Sequence, residues 1–260
     1  MKTIAFIAGS GLAQVLNKLL TNIKKIENKK NKYGLVISYY IGQYNNTKII
    51  ILPRHGDSLN IPVRSPAQLV LEKGYEANIW ELYKLKVDCV FGFSVVGSLD
   101  KSLKLINKHE FILPYTYLRG FAASTHTFGK DALNVHTNMK EPFNKKLIKI
   151  AKNAIIKSKC TFVDNVLYIY NNGDAFETTV EIKILNKLTK DYKKRVVGMT
   201  TIPEVMLCSQ LNIPFCAICS NVNYAEGLDK EIVSHKKTIN IMNKAKDDVL
   251  KIVKNIIINI

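Results

Sequence analysis

Short β-rich apolar runs alternate with stretches of helical apolar spacing along this chain, and no other feature constrains its fold as tightly. The first run, Thr3 to Ala8, ends in Gly9-Ser10-Gly11, after which Leu12 to Ile26 carries helix-like spacing. Tyr33 to Ile41 and Lys48 to Leu52 read as strands on either side of the turn-like QYNNT. Ala77 to Leu85 is predicted to be helical, and Asp88 to Phe93 to be a buried strand running into SVVGSLD. Glu141 to Lys157 has amphipathic helical spacing and precedes a strand over Asn165 to Tyr170. Helices are expected at Thr178 to Leu188 and Glu204 to Leu211, a strand at Phe215 to Ser220, and a long closing helix from Asp229 to Ile256. The lysine-rich patch IKKIENKKNKYG reads as a solvated loop. This order implies an α/β fold with a largely parallel or mixed central sheet flanked by helices. With no repeat or linker in view, residues 1–260 are expected to form one domain.

Composition narrows the classes of function. Apolar residues make up 47% of the chain and the net charge is +17, which invites a nucleic-acid reading. The basic residues are overwhelmingly lysine, however, with arginine only at Arg54, Arg64, Arg119 and Arg195. Bidentate recognition of phosphates and bases favours arginine. A solvated lysine surface is therefore expected, with no nucleic-acid partner, and its positive field would help to attract an anionic substrate. Nothing approaches a membrane-spanning apolar run, so no membrane partner is expected. The N-terminal MKTIAFIAGSGL reads as a buried first strand rather than a leader. Cys216 and Cys219 have CxxC spacing, but residues three apart in a strand face opposite ways, so no metal site is expected. Buried, reduced thiols suit a cytoplasmic protein.

Candidate functional groups fall at strand ends, where open α/β sheets bind ligands. Gly9-Ser10-Gly11 is either an anion-holding loop or a plain tight turn. Arg54-His55-Gly56 follows the strand KIIILP and suits either an oxyanion or a surface ion pair. Phe93-Ser94-Val95-Val96-Gly97-Ser98 repeats the pattern of strand, hydroxyl and glycine. In VVGMTTIPE, Thr201 and Pro203 would cap and open a helix, which leaves Gly198, Met199 and Thr200 in need of another reason.

IAGSGL, PRHGDSLNIP, YEANIWEL, SVVGSL, HTNMKEPF, FETTVEI and VVGMTTIPEVMLCSQLNIPFCAI resemble, in order, the landmarks of the trimeric purine nucleoside phosphorylase and methylthioadenosine phosphorylase family. The resemblance runs from Lys2 to about Leu228. It implies the single-domain phosphorylase/hydrolase-like fold and phosphorolysis of a purine nucleoside to free base and ribose-1-phosphate. Inorganic phosphate is then a co-substrate, with no cofactor or metal. By the same resemblance, Ser10, Arg54, His55, Ser94, Val95 through its backbone, and Thr200 would hold phosphate. Met199 would contact the ribose, His136 would line the sugar end and Phe176 would pack against the base, its alternative being ordinary core. Asn223, with Arg54 and His55, would carry the catalysis.

Base choice would rest on Asn223 and Glu177. An asparagine amide can donate to a purine O6 while its carbonyl accepts from a protonated N7, and a glutamate can accept from N1–H. Both fit 6-oxopurines such as inosine and guanosine. His235 is either a partner for a 5′-hydroxyl or a solvated histidine. The family also implies a cytoplasmic homotrimer acting in purine salvage, with Phe128 a contributor from the neighbour. Two departures stand out: Asn172-Gly173-Asp174 replaces the family's Glu-Gly-Pro, and VRSPAQLVLEKG adds residues before Tyr75. The alternatives are a 5′-methylthioinosine or 5′-methylthioadenosine phosphorylase, or a catalytically silent nucleoside-binding relative.

Overall fold

The computed structural model describes residues 1–9, 12–106, 110–121, 125–229, 240–241 and 243–260. Strand β1 (Thr3–Ala8) is followed by the short helix α1 (Leu12–Asn17), then by β2 (Thr21–Asn31), β3 (Gly34–Tyr44) and β4 (Thr47–Pro53). Helices α2 (Pro66–Leu71) and α3 (Gly74–Lys84) lead into β5 (Cys89–Ser98) and β6 (Glu110–Arg119). Next come α4 (Lys145–Lys157), β7 (Thr161–Tyr170), α5 (Thr179–Leu188), β8 (Arg195–Gly198), α6 (Thr201–Gln210), β9 (Phe215–Tyr224) and α7 (Lys246–Asn259).

Among the described residues nine strands form one mixed sheet in the order β2-β3-β4-β1-β5-β8-β7-β6-β9, and β5 also pairs with β9. That last pairing closes β5, β8, β7, β6 and β9 into a ring. Strand β5 makes the closure possible. It pairs with β1 over Cys89 to Gly92, then with β8 at Gly97 and Ser98, while β9 follows it in parallel from Val90 to Ser98. The two faces of the sheet carry separate apolar cores. Cys219 lies in one and Cys216 in the other, as the period of two along a strand requires. All five cysteines are buried and free of disulfides. Among the described residues no helix is long and apolar enough to cross a membrane.

Several elements differ from the pattern-based expectation. The helix expected over Leu12 to Ile26 stops at Asn17, and the lysine-rich patch expected as a loop is the strand β2. Its side chains are exposed on both faces, so no buried alternation marks it; antiparallel pairing with β3 satisfies its backbone instead. Strand β6 escaped prediction because it contains Pro114, and its register with β7 slips on both sides of that residue. Strands β7 and β9 extend beyond the predicted runs, and the short β8 was not expected. Helix α4 starts at Lys145 rather than Glu141, because Asn144 Oδ1 caps Lys146 N–H and Leu147 N–H at 3.0 and 3.1 Å. Of the long helix expected over Asp229 to Ile256, residues 230–239 and 242 lie outside the described residues, and α7 accounts for Lys246 onward.

Candidate active site

The sheet register gathers the candidate residues at the carboxyl ends of the strands. Pro53 ends β4 beside Ala8 of β1, and Arg54 N–H donates to Ala8 O at 2.8 Å. Arg54 therefore emerges next to the turn after β1. It is 1% exposed, and its guanidinium grips Glu204 of α6 through both Nε and Nη2, the latter at 2.9 Å. Nη1 and Nη2 also donate to Phe93 O, each at 3.1 Å. Among the described contacts only the second Nη1 hydrogen is left. The fork expected to face a ligand is thus mostly occupied by Glu204, whose carboxylate also cancels the arginine charge. Desolvation works to lower Arg54, but the Glu204 contacts outweigh it and hold the guanidinium above its ordinary value. Burial pushes the Glu204 carboxyl up against the opposing pull of Arg54.

Glu204 went unassigned in the sequence, although a signal was present. It is the one acid in TIPEVMLCSQL, a helix buried almost all round, and a buried charge demands a partner. Helix α6 also corrects the expected capping. Its N-cap is Thr200, whose side chain makes no capping bond, while Thr201 Oγ1 donates to Ser94 Oγ at 2.9 Å. Ser94 Oγ also lies 3.2 Å from Cys219 Sγ, a thiol that burial pushes up to about 12 and so keeps protonated. The Thr200 hydroxyl is not spent on its own helix. Val95, at 37% exposure, is the one exposed residue in β5, and the neighbouring Ser94 is buried. His55 Nδ1 lies 2.7 Å from Arg64 O; a carbonyl can only accept, so Nδ1 carries the hydrogen.

A second group of residues sits at the neighbouring rim. Asn223 of β9 is opposite Gly97 of β5, which is opposite Val197 of β8. A Cβ on Gly97 would come 2.7 Å from Asn223 Nδ2, so the glycine leaves room for that amide. At Gly198 a Cβ would collide with the Tyr168 hydroxyl, which explains the glycine before Met199. Asn171 N–H donates to Gly198 O at 3.1 Å, and Asn171 Nδ2 donates to Glu177 Oε1 at 3.0 Å. Glu177 is 5% exposed, and burial pushes its carboxyl up. Phe176 beside it is 39% exposed, which removes the reading of it as ordinary core. Tyr75 OH donates to Met199 O at 3.4 Å and stacks edge-on against His126, itself 3.2 Å from Glu76. Neither Asn171 nor His126 was foreseen as part of this region.

Some candidates are not brought together. His136 follows Val135 and Asn134, which are bound to Gln210 at the last residue of α6. Thr200 stands at the N-cap position, so at about 1.5 Å per residue the two ends of α6 stand roughly 15 Å apart. Phe128 is 3% exposed and packed against Tyr33 and Trp80 of its own chain, so its ring is committed to that core rather than to a neighbour. Ser10 and His235 lie outside the described residues. A recess of about 510 Å³ between α4 and α7, walled by Lys157, Lys159, Lys251 and Lys254, lies toward the opposite end of β7.

The chain matches the family described as the phosphorylase superfamily over residues 3–258. It is 32% identical to a probable 6-oxopurine nucleoside phosphorylase of Thermococcus kodakarensis, over 96% of this chain and 89% of that one. It is 30% identical to a probable S-methyl-5′-thioinosine phosphorylase of Methanocaldococcus jannaschii, over 98% and 91% of the two chains. A methylthioadenosine phosphorylase structure from an antarctic soil metagenomic library shares the fold. It has a TM-score of 0.82 at 23% identity, covering 98% of this chain and 85% of the other.

Proposed function

The chain belongs to the phosphorylase superfamily as a purine nucleoside phosphorylase, a pentosyltransferase, and we propose that its substrates are 6-oxopurine nucleosides such as inosine and guanosine. Phosphate is the co-substrate, and the products are the free base and ribose-1-phosphate, made in the cytoplasm for purine salvage. The observation that supports this reading is that Asn223, through Gly97 and Val197, and the buried Glu177, through Asn171 and Gly198, are both tied to the strand end that leads into Met199. Two polar residues so placed match the hydrogen-bonding edge of a 6-oxopurine.

In this reading phosphate lies at the N-terminal end of α6, where the Thr200 hydroxyl, the remaining Arg54 hydrogen, Ser94 and His55 Nε2 surround it. A phosphate oxygen attacks C1′ as the C1′–N9 bond breaks, and the bonding pair leaves with the purine. The sugar passes through oxocarbenium character, which the phosphate charge stabilises from below. A proton from solvent reaches N7 as the base leaves; Asn223 donates to O6 and accepts from the N7–H so formed, while Glu177 accepts from N1–H, so the charge on the departing base is shared with fixed groups. Positioning and electrostatics supply the catalysis, without a metal or cofactor. His136, held at the far end of α6, would serve the sugar of an adjacent copy, consistent with a homotrimer.

Inosine and methylthioinosine carry the same base, and the Methanocaldococcus relative favours the latter as a second reading. Hypoxanthine release from each, measured with xanthine oxidase in the presence and absence of phosphate, separates them. We expect phosphate-dependent turnover with inosine preferred, and loss of at least about a hundredfold in Arg54→Ala. Turnover independent of phosphate, or none with either nucleoside, would overturn the proposal.

A further inference from the structure

The two stretches that depart from the family pattern touch each other. Asp174 Oδ1 accepts from Ala67 N–H at 3.0 Å, joining the loop before Phe176 to the first turn of α2. The other donors of that turn are already matched. Ser65 Oγ takes Gln68 N–H at 3.2 Å and Gln68 Oε1 takes Ser65 N–H at 2.8 Å, a reciprocal capping box, while Pro66 has no amide hydrogen. Asp174 thus supplies the partner that the capping box leaves missing.

The added segment is also tied at its other end. Arg64 N–H donates to His55 O at 2.9 Å, and His55 Nδ1 donates to Arg64 O at 2.7 Å. Leu69 is fully buried and anchors α2 to the core, whereas Asp174, Ala175 and Phe176 are exposed. The rigid body is α2, and the supported body is the loop. Residues 64–69 therefore form a strap running from His55, on the phosphate side, to the loop that delivers Glu177 on the base side.

We propose that Asp174 is a positioning residue that holds the Phe176–Glu177 loop against this strap and so couples nucleoside binding to the His55 end of the site. The inference rests on the phosphorylase reading above. An exposed loop with no tie samples more conformations, so losing the tie weakens nucleoside binding before it affects chemistry. Asparagine at this position keeps an oxygen acceptor for Ala67 N–H, whereas alanine does not.

The test uses the full chain as wild type, Asp174→Ala and Asp174→Asn. We expect Asp174→Ala to raise KM for inosine roughly fivefold, with kcat and KM for phosphate within about twofold, and Asp174→Asn to restore most of the loss. Hydrogen exchange gives a readout independent of turnover. The Ala67 amide exchanges faster in Asp174→Ala, and added hypoxanthine slows exchange over residues 64–69 in wild type but not in that variant. Unchanged KM for inosine in Asp174→Ala, or an unchanged Ala67 amide, would overturn this proposal alone. Absence of phosphorolysis by the wild-type chain would overturn the phosphorylase reading and this inference with it.

Discussion

Glu204→Gln isolates the contact on which the candidate phosphate site is built. The glutamine is nearly the same size and keeps one oxygen acceptor, but it turns an amide toward the Arg54 fork and removes the counter-charge. In the folded chain the guanidinium, 1% exposed, would keep only the Phe93 carbonyl and that one oxygen as acceptors. Breaking a buried pair by removing one partner costs about 3–5 kcal/mol, and the retained oxygen argues for the low end, about 3 kcal/mol. Against a total stability on the order of 5–15 kcal/mol this is easily measured. Urea unfolding followed by the fluorescence of Trp80, the single tryptophan, at fixed protein concentration reads the loss as a shift in midpoint at constant slope. Phosphate supplies a second, decisive arm. If it binds beside Arg54 it replaces the missing anion, so it should stabilise Glu204→Gln more than wild type at equal concentration. A loss under about 1 kcal/mol would refute the ion-pair argument, and equal phosphate stabilisation of both proteins would refute the location of the anion.

Three other outcomes follow from the same geometry. Asn223→Asp should lower kcat/KM for inosine by about a hundredfold or more while adenosine turnover becomes detectable, since an aspartate presents an acceptor rather than a donor to position 6; parallel steady-state assays decide it. Burial raises the Glu177 carboxyl in the folded chain, so its favourable contribution to stability is present below the ordinary carboxylate range and lost as pH rises through the raised value. Glu177→Gln should therefore be more stable than wild type at neutral pH. It should also lack the fall in kcat/KM on acidification that protonating this acceptor produces, as thermal unfolding and a pH–rate profile would report. If His136 serves an adjacent copy, mixing the inactive variants Arg54→Ala and His136→Ala and allowing subunits to exchange should regenerate activity, whereas a role within one chain predicts none.

The sequence made the alternation of strands and helices readable because most strands have a buried face, as Thr3–Ala8 and Cys89–Ser98 do. Where that mark is missing, reading from pattern failed. Strand β2 buries almost nothing, and β6 is interrupted by a proline at a register shift. Arg54 and Ser94 were legible as charged or polar residues at strand ends, whereas the roles of Thr200 and Asn223 came from the family resemblance. Their partners were not legible, because contacts such as Arg54 with Glu204 or Asp174 with Ala67 join residues 150 and 107 positions apart. Local periodicity carries no information at that range. The exposed Phe176 and the misplaced Phe128 show the same limit from the other side, since aromatic character alone does not say which surface a ring will find.

Strand β2 has a consequence for the life of the protein in a crowded solution. It forms the outer border of the sheet, and a bare strand border invites the backbone of another molecule to zip onto it. Lys24, Lys25, Lys29 and Lys30 stand exposed along that border, so two molecules meeting there confront matching positive fringes. These lysines thus act as a fence against fibrous association. Trading these lysines for threonine or valine would leave catalysis intact and make the protein prone to precipitate.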